Sequence, residues 1–283
     1  MNGTAEGFPL GRLLETAAAR LPDSGSARLE AEVLLGHVIS RPRSYLYTWP
    51  ERHLAPDLQA RFERLLQRRV AGEPVAYITG RREFWSLPLA VTPATLIPRP
   101  ETETLVSLAL ERIPANAALE IADLGTGSGA IALAIARERP RCRLVATDIS
   151  TAALAVARQN AARLGIGNIR FLAGDWFEPL ADAAFDFVLS NPPYVPESAP
   201  QLSEGDVRFE PHRALASGPD GMEDLARIAH AAGSRLRSGG RLLLEHGYDQ
   251  GTQATRLLHA AGYHEISDHV DSSGNCRVVV GRK

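Results

Sequence analysis

Cysteine, lysine and long apolar runs are all scarce in this chain of 283 residues, and each scarcity closes off a class of protein. The 2 cysteines, Cys142 and Cys276, stand far apart in β-prone segments, which reads as two buried, reduced thiols and not as a disulfide framework or a cysteine-based metal site. The 8 histidines are scattered, with no carboxylate at metal-ligand spacing, so no metal is expected. No stretch reaches the roughly 18 apolar residues that span a bilayer, and Met1–Leu10 has neither the basic start nor the apolar core of a secretion signal. A cytoplasmic protein with no membrane partner is expected. Lys283 is the only lysine, and a net charge of −2 leaves no basic excess to grip a nucleic-acid backbone, so direct nucleic-acid binding is not expected either.

What is present suits an ordinary folded protein, with 45% hydrophobic and 23% charged residues. The length exceeds a typical domain of about 100–200 residues, which points to one large domain and a small one. From Phe8 to about Ala71, apolar residues such as Leu29, Val33, Leu34 and Val38 recur at helical spacing. Proline and turn residues break the pattern at Pro22-Asp23-Ser24-Gly25, Arg41-Pro42 and Trp49-Pro50. Over Met1–Gly80 ten arginines face nine acidic residues, a balance that fits a protein-docking module better than a basic arm. Residues 1–72 are read as this helical domain and 73–100 as a β-hairpin linker, from the β-prone runs Val75–Ile78, Glu83–Trp85 and Leu87–Thr92. The remainder, 101–283, is the larger domain.

That domain opens with a helix, Glu101–Arg112, whose Glu101 and Glu103 suit the positive end of a helix dipole. Apolar runs at Leu119–Leu124, Arg143–Thr147, Ile169–Leu172, Phe185–Ser190 and Arg241–Glu245 then alternate with helical stretches, as in a parallel sheet covered on both faces. Glu265–His269 and Arg277–Val280, joined by a turn at Asp271–Asn275, add an antiparallel hairpin. The expected fold class is α/β: a Rossmann-like, seven-stranded sheet preceded by a small helical bundle.

Asp123-Leu124-Gly125-Thr126-Gly127-Ser128-Gly129 follows the first of these strands and opens a helix. Glycines there permit tight turns and let a ligand approach main-chain N–H groups closely. The next strand ends at Asp148, where a carboxylate can accept both hydroxyl protons of a ribose. NAD and S-adenosyl-L-methionine both fit this geometry. The spacing G-x-G-x-G-A, unlike the dinucleotide G-x-G-x-x-G, favours the methyl donor, with S-adenosyl-L-homocysteine as its product. Trp176, in Gly174-Asp175-Trp176 after the third strand, is positioned to flank an adenine or simply to cover the sheet edge, and Asp175 to accept from the adenine amino group. The cofactor candidates are Gly125, Thr126, Gly127, Ser128, Gly129, Asp148 and Trp176.

Asn191-Pro192-Pro193-Tyr194 sits just past the Phe185–Ser190 strand, at the end where open α/β sheets bind ligands. An amide nitrogen is a poor nucleophile because its lone pair is spread into the carbonyl. A site that methylates it must hold the NH2 group between fixed acceptors. Asn191 can accept one N–H through its side-chain oxygen, and the Pro192 carbonyl, stiffened by the proline pair, can accept the other. Both then stabilise the positive charge developing on nitrogen, while Tyr194 stacks on the planar group. Asn191, Pro192 and Tyr194 are the catalytic candidates and Asn191–Tyr194 the substrate-binding set, with Asn191 also facing the cofactor. Arg208 and Glu210, in the irregular stretch Gly205–Pro211, suit either protein-substrate contact or an exposed charged loop. Arg99, Glu101 and Glu103 suit either cofactor gating or helix capping.

On these residues the chain resembles the HemK/PrmC family of protein-glutamine methyltransferases, over nearly its whole length. The resemblance is carried by Glu73-Pro74, Tyr77-Ile78, Gly80, Ile97–Glu103, Asp123–Gly129, Gly174–Phe177, Ser190–Tyr194, Gly205–Pro211 and Leu243–Gly247. It implies a class I methyltransferase domain whose protein substrate is a class I peptide chain release factor, modified at the glutamine of its Gly-Gly-Gln loop in translation termination. It also implies that residues 1–72 help to dock that substrate. A monomer is expected. Rival substrates for the same motif are a glutamine of a ribosomal protein and the amino group of adenine or guanine in nucleic acid. A non-catalytic binding module is the rival outside enzymes.

Overall fold

A computed structural model of the protein describes residues 7–21 and 25–283. Most of the turn expected at Pro22-Asp23-Ser24-Gly25, and most of Met1–Leu10, lie outside the described residues. The chain forms two compact units, Met1–Gly80 and Arg81–Lys283.

The first unit consists of α1 (Leu10–Ala18), α2 (Ala27–Ile39), α3 (Arg43–Thr48), α4 (Pro56–Val70) and α5 (Val75–Thr79). Leu14, Leu34, Leu35, Phe62 and Leu66 share its core, whereas Leu29 faces solvent at 43% exposure. Glu32 is also buried, and its carboxylate is satisfied there by the Tyr47 hydroxyl at 2.7 Å, Arg43 at 2.8 Å and Arg28 at 2.9 Å. The run Val75–Ile78, expected as a strand, is instead the helix α5. Pro74 stands immediately before it, Gly80 ends it in a left-handed turn at φ 71°, and Tyr77 and Ile78 are buried from it. Ile78 packs into the helical core, and that packing overrides the β preference of Val and Ile.

The second unit opens with a hairpin, β1 (Arg81–Phe84) and β2 (Leu87–Ala90). Trp85 and Ser86 at its tip have φ of 50° and 56°, the conformation a two-residue hairpin turn requires. There follow α6 (Glu103–Arg112), β3 (Glu120–Leu124), α7 (Ala130–Glu138), β4 (Arg143–Asp148), α8 (Thr151–Leu164), β5 (Ile169–Ala173), β6 (Phe185–Ser190), α9 (Glu223–Arg235), β7 (Leu236–Glu245), α10 (Gly251–Ala260), β8 (His264–Val270) and β9 (Cys276–Arg282). The seven strands β3 to β9 form one sheet in the order β5-β4-β3-β6-β7-β9-β8. It is parallel except at β9, which runs antiparallel to both neighbours. Cys142 lies just before β4 and is buried; Cys276 opens β9 and is only partly buried, because it sits at the hairpin end of its strand.

Side-chain alternation along the strands explains why they read as continuous apolar runs. Ile121, Leu189, Leu243 and Val280 enter one core with α6, α7 and the hairpin residues Phe84 and Leu89. Ala122, Val188, Leu242 and Val279 enter the other with α9 and α10. Both faces are covered by apolar side chains, so a polar group placed there is costly unless it finds a partner. Leu189 is fully buried in the middle of the sheet. Leu189→Ala is therefore expected to destabilise the second unit by about 2–5 kcal/mol in urea denaturation.

Candidate functional site

In an open parallel sheet, a ligand crevice forms where the strand order reverses. That point lies here between β3 and β6, whose pairing runs up to Leu124 and Ser190. The Ser190 hydroxyl donates to the Leu124 carbonyl at 2.8 Å, so the loops leaving the two strands start from one anchor.

The loop after β3 places Gly125, Gly127 and Gly129 at φ of 70°, 56° and 86°, backbone that side chains disfavour. A Cβ on Gly125 would stand 2.9 Å from the Trp176 ring, while one on Gly127 would meet only open space. Beneath the loop, the fully buried Asp123 carboxylate accepts from the Thr126 hydroxyl at 2.6 Å and from the Ala132 N–H at 3.2 Å. Asn160 holds the loop from α8: its Nδ2 donates to the carbonyls of Ser128 at 2.9 Å and Ala90 at 3.0 Å, and its Oδ1 accepts from the Ala90 N–H at 2.7 Å. Hairpin and glycine loop thus hang from one side chain.

Asp148 ends β4. Its Oδ2 accepts from the Gly127 N–H and its Oδ1 from the Ser150 N–H, both at 2.8 Å. Burial raises its pKa above the usual carboxylate value, opposed by those two N–H groups and by the charge of Arg213. Trp176 holds a left-handed φ of 45°, strained for so large a residue, with its carbonyl accepting from the Thr147 hydroxyl at 2.9 Å. Asp175 beside it is paired with Arg227 at 2.6 Å.

These elements wall a cavity of about 490 Å³ lined by Gly125, Gly127, Asp148, Trp176, Asn191 and Pro193 among others. A second cavity of about 190 Å³ is lined by Leu96, Arg99, Asn191, Pro192 and Tyr194. Asn191 lines both, and so stands at their junction. Of the residues singled out in the sequence, Gly125, Gly127, Asp148 and Trp176 meet around the larger space and Pro192 and Tyr194 around the smaller. Thr126, Ser128 and Gly129 are turned into the fold: Thr126 and Ser128 are buried, and a Cβ at Gly129 would press on Leu133 and Ala157.

The Asn191–Tyr194 loop is tied down from several sides. Tyr194 and Val195 donate their N–H groups to the Leu215 carbonyl at 3.1 and 2.9 Å, and Gln250 Nε2 donates to the Tyr194 carbonyl at 3.0 Å. Asn191 Nδ2 donates to the Thr102 hydroxyl at 3.1 Å, and the Tyr194 hydroxyl donates to Glu245 Oε1 at 3.3 Å. Burial raises the Tyr194 pKa, and the nearby Glu245 adds to the rise. Burial also pushes Glu245 up to about 7, against the pull of the Thr102 hydroxyl, the Arg277 charge and the Tyr194 hydroxyl.

Two flanking residues, Glu210 and Glu103, have other places than an exposed loop or a gate. Glu210 is buried, accepting from the Ile97 N–H at 3.0 Å and from Arg99 at 2.5 Å; a carboxylate enclosed by a main-chain donor and a guanidinium has no need of solvent. Glu103 accepts from the Trp85 N–H at 2.8 Å and so braces the hairpin turn. Arg208 is exposed, as a charged loop residue would be, with its guanidinium 5.0 Å from the centre of the Phe209 ring. Asn160 escaped the sequence reading, and Thr102 and Glu245 entered it only inside the motifs Ile97–Glu103 and Leu243–Gly247 without a role of their own; the available signal was a polar residue in the apolar phase of its element, as with Glu245 directly after Leu242–Leu244.

Burial pushes Asp123 up to about 7, opposed by the Thr126 hydroxyl and the Ala132 N–H. A carboxyl that holds its proton more tightly when folded contributes its stability in full below its unfolded pKa, and that contribution fades as pH rises toward 7. Asp123→Asn is expected to flatten this part of the profile: urea stability between about pH 4 and about pH 8 should fall less with rising pH in the variant than in the wild type. Parallel profiles would mean that Asp123 keeps an ordinary carboxylate pKa.

Among the described residues no group of His, Cys, Asp and Glu could hold a metal ion, and no helix is long and apolar enough to cross a membrane. Known proteins match on both units. The PrmC N-terminal domain family matches residues 12–80 and the methyltransferase small domain family residues 103–205. The release factor glutamine methyltransferase of Vibrio cholerae is 50% identical over 275 residues, covering 95% of this chain and 95% of its own. That of Escherichia coli is 48% identical over 269 residues, covering 95% of this chain and 97% of its own. A methyltransferase structure from Pyrococcus furiosus, at 17% identity, superposes with a TM-score of 0.54 over 77% of this chain and 96% of its own, a likeness of fold alone. With half its residues shared over almost the full length of such relatives, the chain belongs to the release factor glutamine methyltransferase family.

Proposed function

We propose that the chain transfers a methyl group from S-adenosyl-L-methionine to the side-chain amide nitrogen of the glutamine in the Gly-Gly-Gln motif of class I peptide chain release factors, and so modulates translation termination. The observation that carries this reading is the position of Asn191, shared by a large and a small cavity, with its Nδ2 already engaged. The larger space, at about 490 Å³, has the size of a small-molecule pocket. Its lining suits a nucleoside: glycine backbone at Gly125 and Gly127 where side chains are absent, a carboxylate at Asp148 and the indole of Trp176. S-adenosyl-L-methionine, when bound, supplies a methyl group on a sulfonium sulfur. Asp148 would accept from the ribose hydroxyls, and Gly125, Gly127 and Trp176 would enclose the nucleoside.

In the smaller space, Asn191 Oδ1 and the Pro192 carbonyl accept the two N–H groups of the substrate amide. They turn its nitrogen toward the larger cavity and stabilise the positive charge that grows there. Tyr194 keeps the amide plane in register, its hydroxyl fixed by Glu245. No side-chain base is needed, because an N-methylated amide with charge on nitrogen is acidic enough for water to take its proton. Residues 1–72 serve to dock the release factor, and the enzyme works as a cytoplasmic monomer.

The test is transfer of labelled methyl to purified release factors, with and without Gln→Ala in the Gly-Gly-Gln loop, beside ribosomal protein and RNA. Label is expected on the intact release factors alone; label confined to ribosomal protein or RNA would overturn the assignment. Asn191→Ala is expected to lower turnover by on the order of 100-fold or more with cofactor affinity within about 3-fold of wild type. Asp148→Ala should instead weaken cofactor binding by about 10- to 100-fold in calorimetry, the loss expected for hydrogen bonds to a charged group.

A further inference from the structure

An asparagine side chain can present either its oxygen or its NH2 to a pocket, since the two ends have nearly the same shape. The amide-clamp reading needs the oxygen outward. With the nitrogen outward, Asn191 would oppose donor to donor against the substrate NH2. Something must set this orientation.

Asn191 Nδ2 donates to Thr102 Oγ1 at 3.1 Å. Thr102 lies in the short helical turn Pro100–Thr102 ahead of α6 and is buried at 4% exposure. A hydroxyl has one proton, so its direction decides what it offers each neighbour. If that proton pointed at Asn191, the asparagine oxygen would be drawn inward to accept it. Behind Thr102 stands Glu245, the last residue of β7, fully buried. Its Oε2 is buried with no hydrogen-bond partner among the described residues and so is open to the Thr102 proton, and the Thr102 hydroxyl and the Arg277 charge favour its ionised form while Glu101 opposes it. An ionised carboxylate can only accept. It therefore takes the Thr102 proton and leaves the hydroxyl lone pairs facing Asn191, where only Nδ2 can use them. Glu245 Oε1 also accepts from the Tyr194 hydroxyl at 3.3 Å, so both ends of the Asn191–Tyr194 loop refer to one buried carboxylate.

We propose that Thr102 and Glu245 are positioning residues for methyl transfer: the Glu245 carboxylate fixes the direction of the Thr102 hydroxyl, which retains Asn191 Nδ2 and thereby presents Asn191 Oδ1 to the substrate amide. The inference rests on the amide-clamp reading above. It assigns no contact between either residue and substrate or cofactor; both act through Asn191 and Tyr194.

The test uses the full chain and an intact release factor, above about pH 8 so that Glu245 is ionised. Thr102→Val keeps the shape of the side chain and removes the hydroxyl. It is expected to lower kcat about 10-fold or more while the cofactor dissociation constant and the thermal midpoint stay near wild type, and Thr102→Ser should restore kcat to within about 3-fold. Glu245→Gln, which can donate as well as accept, should lower kcat similarly, and the double variant should be little worse than the poorer single one because both act along one path. Wild-type kcat in Thr102→Val, or equal impairment in Thr102→Val and Thr102→Ser, would overturn the proposal. The Asn191 side-chain NH2 supplies a readout independent of turnover: its protons, protected from hydrogen exchange in the wild type, should lose protection in Thr102→Val. Unchanged protection there would overturn the inference, whereas a wild-type enzyme that leaves the release-factor glutamine unlabelled would instead sink the function from which it starts.

Discussion

Leu124 and Ser190 end neighbouring parallel strands side by side, and the Ser190 hydroxyl closes the gap between them at 2.8 Å. Everything in the candidate site is measured from that junction. The glycine loop leaves one strand end and the Asn-Pro-Pro-Tyr loop the other, so the two cavities meet where the strands part, at Asn191. A parallel sheet buried on both faces has little freedom to slide, because a shift of one residue would turn Ile121 and Leu189 into the opposite core. The register that packs the apolar side chains also sets the distance between the two loops.

Around this junction, irregular backbone is held mainly by acidic side chains in the interior. Asp123 serves the glycine loop, Asp148 both Gly127 and Ser150, Glu210 the segment at Ile97 and Arg99, and Glu245 the Tyr194 end of the Asn191–Tyr194 loop. A carboxylate suits this work, since it accepts several hydrogen bonds at once and strengthens each with its charge. The same burial that stiffens these loops makes ionisation harder, which is why Asp123 and Glu245 both rise to about 7. Rigidity in the site and sensitivity to proton concentration therefore have one origin.

The sheet, its C-terminal hairpin and the two motif loops could be read from the sequence because each is encoded within a few adjacent residues: alternating apolar runs, closely spaced glycines, paired prolines. What supports the loops is encoded differently. Asn160 meets Ala90 across 70 residues of chain, Glu210 meets Ile97 across 113, and Asn191 meets Thr102 across 89. No local periodicity carries such pairings. The helix α5 shows the same limit at shorter range, where Ile78 finds a place in a core that only the folded bundle provides. Within the glycine loop the motif marked the right segment, yet the inward turn of Thr126, Ser128 and Gly129 follows from Asp123 and α8 beneath it.

Trp176 presses its ring against Gly125 on the wall of the larger cavity, while the other two tryptophans stand elsewhere, Trp49 on the surface of the helical unit and Trp85 at the hairpin tip. The protein thus carries its own fluorophore at the pocket. With Trp49 and Trp85 changed to phenylalanine, the remaining indole emission would come from that wall alone, and its wavelength and quenching would follow the filling of the cavity in real time without any added label.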